Sequence, residues 1–155
     1  MTGDAGGFDV ATGAVPLRPS PGGADARRKA VQEAFRGLLH IRELMNTEAT
    51  DPRAVPAAWE RHQPVRAVAL SLEASGIEPS AMTPDGQRIG TGYCVRATGP
   101  GVVRVEWVGP PGSGAQYEEK DALAKCVPIL GGLGWEALLY RGERRRHYLE
   151  VEARG

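Results

Sequence analysis

The chain has 155 residues, 41% of them hydrophobic, and its 19 basic residues balance 19 acidic ones. That length allows one domain, or a small domain with a helical extension, and a formal charge of zero argues against a protein whose main task is to coat nucleic acid or a membrane with positive charge. A mean hydropathy of −0.32 and the lack of a long apolar run argue against a transmembrane helix.

Residues 1–23 are rich in Gly, Pro and Ala and end in Pro19-Ser-Pro-Gly-Gly23. They hold few large apolar side chains and are expected to form a disordered tail. The start has neither a basic n-region nor an apolar h-region, so no secretory signal is expected. Cys94 and Cys126 are the only cysteines. They fall in different elements, which suits buried, reduced thiols in a cytoplasmic protein. Only Lys29, Lys120 and Lys125 are lysines, and much of the arginine excess reads as codon bias.

The section 24–76 is expected to be helical. From Asp25, a fitting cap, Val31, Phe35, Leu38 and Met45 recur at helical spacing with Ala34 and Ile41 alongside, which predicts a helix to about Glu48. Leu39 and Leu44 lie off that stripe, so the helix needs a partner helix or a second copy of itself. Phe35, Leu38, Leu39 and Met45 are the candidate self-association residues. A helix pair follows at Ala54–His62 and Pro64–Ser75, the second started by a proline at its first position. Val65, Val68, Ala69 and Leu72 form its apolar stripe, and residues 77–88, with Pro79, Pro84 and Asp85-Gly86, read as a linker.

The section 89–153 is expected to be a ββαββ unit, an antiparallel sheet covered by one helix, which makes the whole chain α+β. In its first hairpin Val103, Val105 and Trp107 alternate with Arg104 and Glu106, the period of a half-buried strand. Leu123, Cys126, Val127 and Leu130 mark one stripe of the helix, with Glu118, Glu119 and Asp121 in its first turns, where negative charge suits the helix dipole. Pro128 is expected to kink or end it. Trp135–Tyr140 and His147–Glu152 form the second hairpin, with Leu149 and Val151 facing in.

No residue set carries a recognisable chemistry. Gly109-Pro-Pro-Gly-Ser-Gly114 resembles the opening of a phosphate-binding P-loop, but Ala115 and Gln116 stand where that family has Lys and Ser/Thr, so a plain loop is expected. Three helices followed by a hairpin resemble a winged helix in topology, with Pro64–Ser75 as the recognition helix, yet that helix carries only Arg66 to read bases. Cys94, Cys126, His40, His62 and His147 match no zinc spacing. Arg141, Arg144, Arg145 and Arg146 at the second hairpin tip are the candidate nucleic-acid contacts, since a basic hairpin can reach phosphates. The expected function is a non-enzymatic interaction or regulatory module that self-associates through its long helix and acts through protein–protein contacts. No cofactor, metal or membrane is expected. The alternatives are a DNA-binding regulator using hairpin 141–147 with helical dimerisation, and a small-ligand-binding or enzymatic domain.

Overall fold

The computed structural model describes residues 8–19 and 21–155. Helix α1 (Gly23–Met45) leads through a 3₁₀ turn at Pro52–Ala54 to a short α2 (Ala58–His62) and to α3 (Pro64–Ala74). Strands β1 (Ala81–Met82) and β2 (Arg88–Gly90) pair as a small ladder. Then come β3 (Gly92–Gly99), β4 (Val102–Val108), α4 (Ala115–Gly132), β5 (Trp135–Arg141) and β6 (His147–Ala153). These last four strands form one sheet in the order β3-β4-β6-β5, antiparallel at every step. The fold is α+β, as the alternating and helical periods predict.

Helix α3 is where the two sections join. Ala67, Val68, Ala69, Leu70, Ser71 and Leu72 are all buried, because α3 has neighbours on more than one side. It joins Tyr93, Val95, Val103 and Val105 of the sheet in one core, while Leu70 packs with Val31 and Leu38 of α1. Leu123, Cys126 and Leu130 of α4 enter the same core with Trp135, Leu149 and Val151. Both α3 and α4 therefore lie on one face of the sheet, and the other is open except at the start of β3, where Cys94 is buried. Fully burying a Leu or Val contributes roughly 1.5–3 kcal/mol relative to leaving it exposed, so the apolar stripes are the main support of this arrangement. The partner helix that α1 needs is thus supplied within the chain.

Several boundaries differ from the sequence reading, among them the start of the first helix of the pair, which lies at Ala58 and not Ala54. Gly22, in the left-handed region, precedes α1, and Asp25 lies inside its first turn instead of capping it. The helix stops at Met45 because Asn46 turns its side-chain amide onto the carbonyls of Pro52 and Val55, at 3.1 and 2.6 Å. Helix α4 runs through Pro128 to Gly132. Pro128 and Ala124 are both exposed, so the carbonyl that proline leaves without its donor faces water and the interruption is tolerated.

The largest difference lies before α1. Residues 1–7 and 20 are outside the described residues, but 8–18 do not behave as a free tail. Val10 and Phe8 pack against the core clusters and Ala11 is buried. The fastening is made to backbone carbonyls by side chains far along the chain: Arg66 to Phe8 (3.3 Å), Arg27 to Asp9 (2.9 Å), Tyr93 to Ala11 (2.8 Å) and Arg88 to Gly13 (2.7 Å). A carbonyl is the same in every residue, so the composition of the segment gave no sign of it. The stretch read as a linker, 77–88, likewise contains β1 and the start of β2, and Glu78 and Ser80 bond the edge of β3.

Candidate functional site

The open face of the sheet carries the side chains that alternate with the core. The registers line up Arg96, Arg104, Glu150 and Leu138 across the four strands, and Glu106 lies beside Tyr148 and Tyr140 in the next row. The Arg104 guanidinium lies 3.9 Å from the Tyr148 ring centre, and Tyr148 stacks on Tyr140 at 5.6 Å and 25°. Such contacts add about 0.5–1.5 kcal/mol each beyond area burial. They also occupy both faces of the Tyr148 ring, so it is not a free platform for a stacked base. Leu138 is 46% exposed on this face and Tyr140 is 40% exposed. Towards the other end of β5 and β6, Glu136 and Glu152 are neighbours, and neither meets a cation among the described residues.

The hairpin between β5 and β6 places the four candidate arginines unequally. Arg144 and Arg145 sit at an exposed 3₁₀ turn with φ of 58° and 60°, an uncommon backbone region for residues with a Cβ. Arg141 ends β5 and is exposed. Arg146 turns back to the body, with Nε donating to Glu119 Oε1 at 2.6 Å and Nη2 to the Trp107 carbonyl at 3.2 Å. Glu119 also accepts from the His147 backbone N–H at 2.6 Å and lies 3.0 Å from His147 Nδ1. A carboxylate only accepts, so Nδ1 carries the proton. Burial of Glu119 would raise its pKa, but the His147 N–H, Arg146 and the His147 ring outweigh it and hold the carboxyl below its usual 4.5. Glu119 is therefore the buried anchor of the basic tip. The sequence reading gave it only as one of three acidic residues in the first turns of α4, where negative charge suits the helix dipole.

The residues assigned to self-association on α1 also separate. Leu38 is 3% exposed and packs with Leu70, and Phe35 and Leu39 are partly buried in the same cluster. These three are used inside the fold. Met45, at 66% exposed, points out together with Leu44 and Ile41. On the stripe beside Leu38 the sequence reading overlooked Arg42, which is fully buried. Its guanidinium makes a two-pronged pair with the fully buried Glu60 at 2.8 and 2.7 Å and bonds the Arg53 carbonyl at 2.7 Å. Glu60 also accepts from the Ala57 N–H at 3.0 Å, which holds the start of α2. A charged residue at an apolar stripe position was the available signal.

Other candidate chemistry is dispersed. Cys94 and Cys126 are both buried, which raises both thiol pKa values, that of Cys126 to about 11. Such thiols are poor nucleophiles. His40 and His62 are exposed, and neither takes part in the His147–Glu119 contact. Among the described residues no group of three or more His, Cys, Asp or Glu is arranged to hold a metal. The loop Gly109–Gly114 ends on a left-handed Gly114 before α4, and Ser113 Oγ accepts the Ala115 N–H at 3.3 Å. The winged-helix likeness, set aside in the sequence because α3 carries only Arg66 to read bases, has no support from burial either, since α3 is buried over Pro64 and Ala67–Leu72 and has no face with which to enter a groove.

A groove of about 770 Å³ runs between residues 11–19, the start of α1, the end of α3 and β1. Charged residues in its lining are engaged nearby: Arg27 with Glu73 at 2.8 Å and Arg18 with Asp9 at 3.0 Å. No helix among the described residues is long and apolar enough to cross a membrane. Compared with protein-family models, curated proteins and solved structures, the chain matches none.

Proposed function

We propose that this chain is a non-enzymatic interaction module that self-associates and acts through protein–protein contacts. One contrast carries the reading. The buried charged side chains are committed to internal ties, Arg42 with Glu60 and Glu119 with Arg146 and His147. Six of the ten large apolar side chains left exposed instead gather at two places, Ile41, Leu44 and Met45 on α1 and Leu138, Leu139 and Tyr140 on β5, while Val15, Leu17, Ile89 and Tyr117 lie elsewhere. Paired buried charges hold a fold together, whereas grouped exposed apolar residues mark surfaces that gain by being covered. Size-exclusion light scattering tests the reading: a mass that rises with concentration towards a dimer supports it. A strict monomer that captures no partner in a pull-down contradicts it.

A DNA-binding reading rests on a different observation, the exposure of Arg141, Arg144 and Arg145 at the hairpin tip. It predicts a salt-dependent mobility shift that weakens when these residues become alanine. Glu143 within the tip and the Glu119 tether on Arg146 reduce the positive field such binding would use.

A further inference from the structure

We infer that β5 is the strand through which the chain self-associates, pairing antiparallel with β5 of a second copy about a two-fold axis at Leu138. The inference rests on the proposal above and names its surface.

Hydrogen-bond parity fixes which backbone groups of β5 point away from the sheet. At the two ends of the β5–β6 hairpin, the Gly142 N–H donates to the Arg146 carbonyl at 2.7 Å and the Arg154 N–H to the Gly134 carbonyl at 2.9 Å. Antiparallel ladders alternate, so Glu136, Leu138 and Tyr140 direct their backbone groups to β6, while Trp135, Ala137, Leu139 and Arg141 direct theirs away from it. Strand β5 is last in the sheet order, and among the described residues no backbone group bonds these outward N–H and C=O groups. Among the described residues only the Trp135 carbonyl meets a side chain, Arg154 at a long 3.5 Å. The seven-residue strand holds no proline, lysine or glycine to blunt the edge. A bare edge of this kind is a template for another strand.

The partner that fits is a second copy, because the strand is complementary to itself. A two-fold at Leu138 sets that side chain against the partner's Leu138 on the open face, at the centre of the interface. On the core-facing side it sets Ala137, which is small, against the partner's Leu139, which is only partly covered. Glu136 then faces the partner's Tyr140. The same register brings the arginine tip of each copy to the Trp135 end of the other, beside Glu136 and Glu152. Those two carboxylates and the guanidiniums of Arg141, Arg144 and Arg145 have no ion-pair partners among the described residues. Antiparallel pairing puts the acid end of one strand against the basic end of the other, twice. The result is a continuous eight-stranded sheet.

Light scattering of the full chain and of Leu138→Lys and Leu138→Glu, each checked for a native melt by circular dichroism, tests this. Like charges directly opposed across two strands repel, so each variant alone should weaken the dimer by about tenfold or more. An equimolar mixture of the two should restore it, since Lys then faces Glu. A wild-type dimer unaffected by either variant overturns this inference while leaving self-association standing, with Leu44 and Met45 as the surface to substitute next. A wild-type monomer at every soluble concentration overturns the second-copy assignment and the self-association together, whatever other chain fills the edge.

Discussion

Along β3, the Tyr93 N–H donates to the Glu78 carbonyl and the Tyr93 carbonyl accepts from the Ser80 N–H, each at 2.9 Å, and the Val95 N–H donates to the Thr12 carbonyl at 2.8 Å. Along β5, at the other side of the same sheet, the matching outward groups of Ala137, Leu139 and Arg141 meet no backbone partner among the described residues. The difference is not one of strand length, since β3 has eight residues and β5 seven. It comes from what the chain lays beside each. Two irregular segments, 11–13 and 78–80, close the β3 edge, and glycines let them come close. A Cβ on Gly13 would lie 2.1 Å from the Tyr93 carbonyl oxygen, and one on Gly92 would lie 2.2 Å from that of Glu78. Backbone approach of this kind leaves no room for another strand beside Tyr93 and Val95, whereas along β5 no backbone group among the described residues stands in the way.

The sharpest way to break the comparison is to prise open the closed edge. Gly92→Ala drives a methyl into backbone that cannot yield, and is expected to cost about 3 kcal/mol or more, read as a fall in the urea midpoint. Tyr93→Phe keeps the ring but removes the hydroxyl that lies 2.8 Å from the Ala11 carbonyl and 3.0 Å from that of Ala69. Stranding those acceptors should cost about 1–3 kcal/mol, again by urea titration. Faster exchange of the Val95 amide would show that the N-terminal segment has come away.

On the open side the expected effects are smaller and more local. The folded Glu119 carboxyl titrates below its usual 4.5, so its stabilisation is complete above that pH and is lost as pH falls through the lowered value. Acid should therefore loosen the arginine tip first, seen as faster exchange of the His147 amide before the global acid transition. Leu138→Lys should change the stability of the isolated protomer by no more than about 0.5 kcal/mol, measured by thermal melting in dilute solution. A large loss there would mean that the open face is packed more tightly than the half-exposed Leu138 implies.

The contrast also explains what could be read from the sequence. Both hairpins, the helix between them and the α+β class follow from periods of two and of 3.6, because those patterns report which side chains enter the core. Helix α1 was legible for the same reason, except at Arg42, where a charge occupies a stripe position and is neutralised by Glu60 from a separate helix. The β3 edge was not legible, since segments 11–13 and 78–80 close it through backbone bonds, and residues 8–13 are fastened through their own carbonyls by side chains distant in the sequence. Arg27, Arg66 and Arg88 hold those carbonyls, so arginines read as compositional bias have assigned positions in the fold. The candidate tip was found, but its division into exposed Arg144 and Arg145 and tethered Arg146 depends on Glu119, 27 residues earlier. The open β5 edge follows from strand order, which side-chain periodicity alone does not encode.

Amide hydrogen exchange along the two edges, compared between dilute and concentrated protein, tests the central claim most directly. The account predicts that Tyr93 and Val95 are protected at every concentration, while Ala137, Leu139 and Arg141 exchange freely when dilute and slow as protein is added. Protection of Leu139 that does not depend on concentration, or none at any concentration, would contradict it.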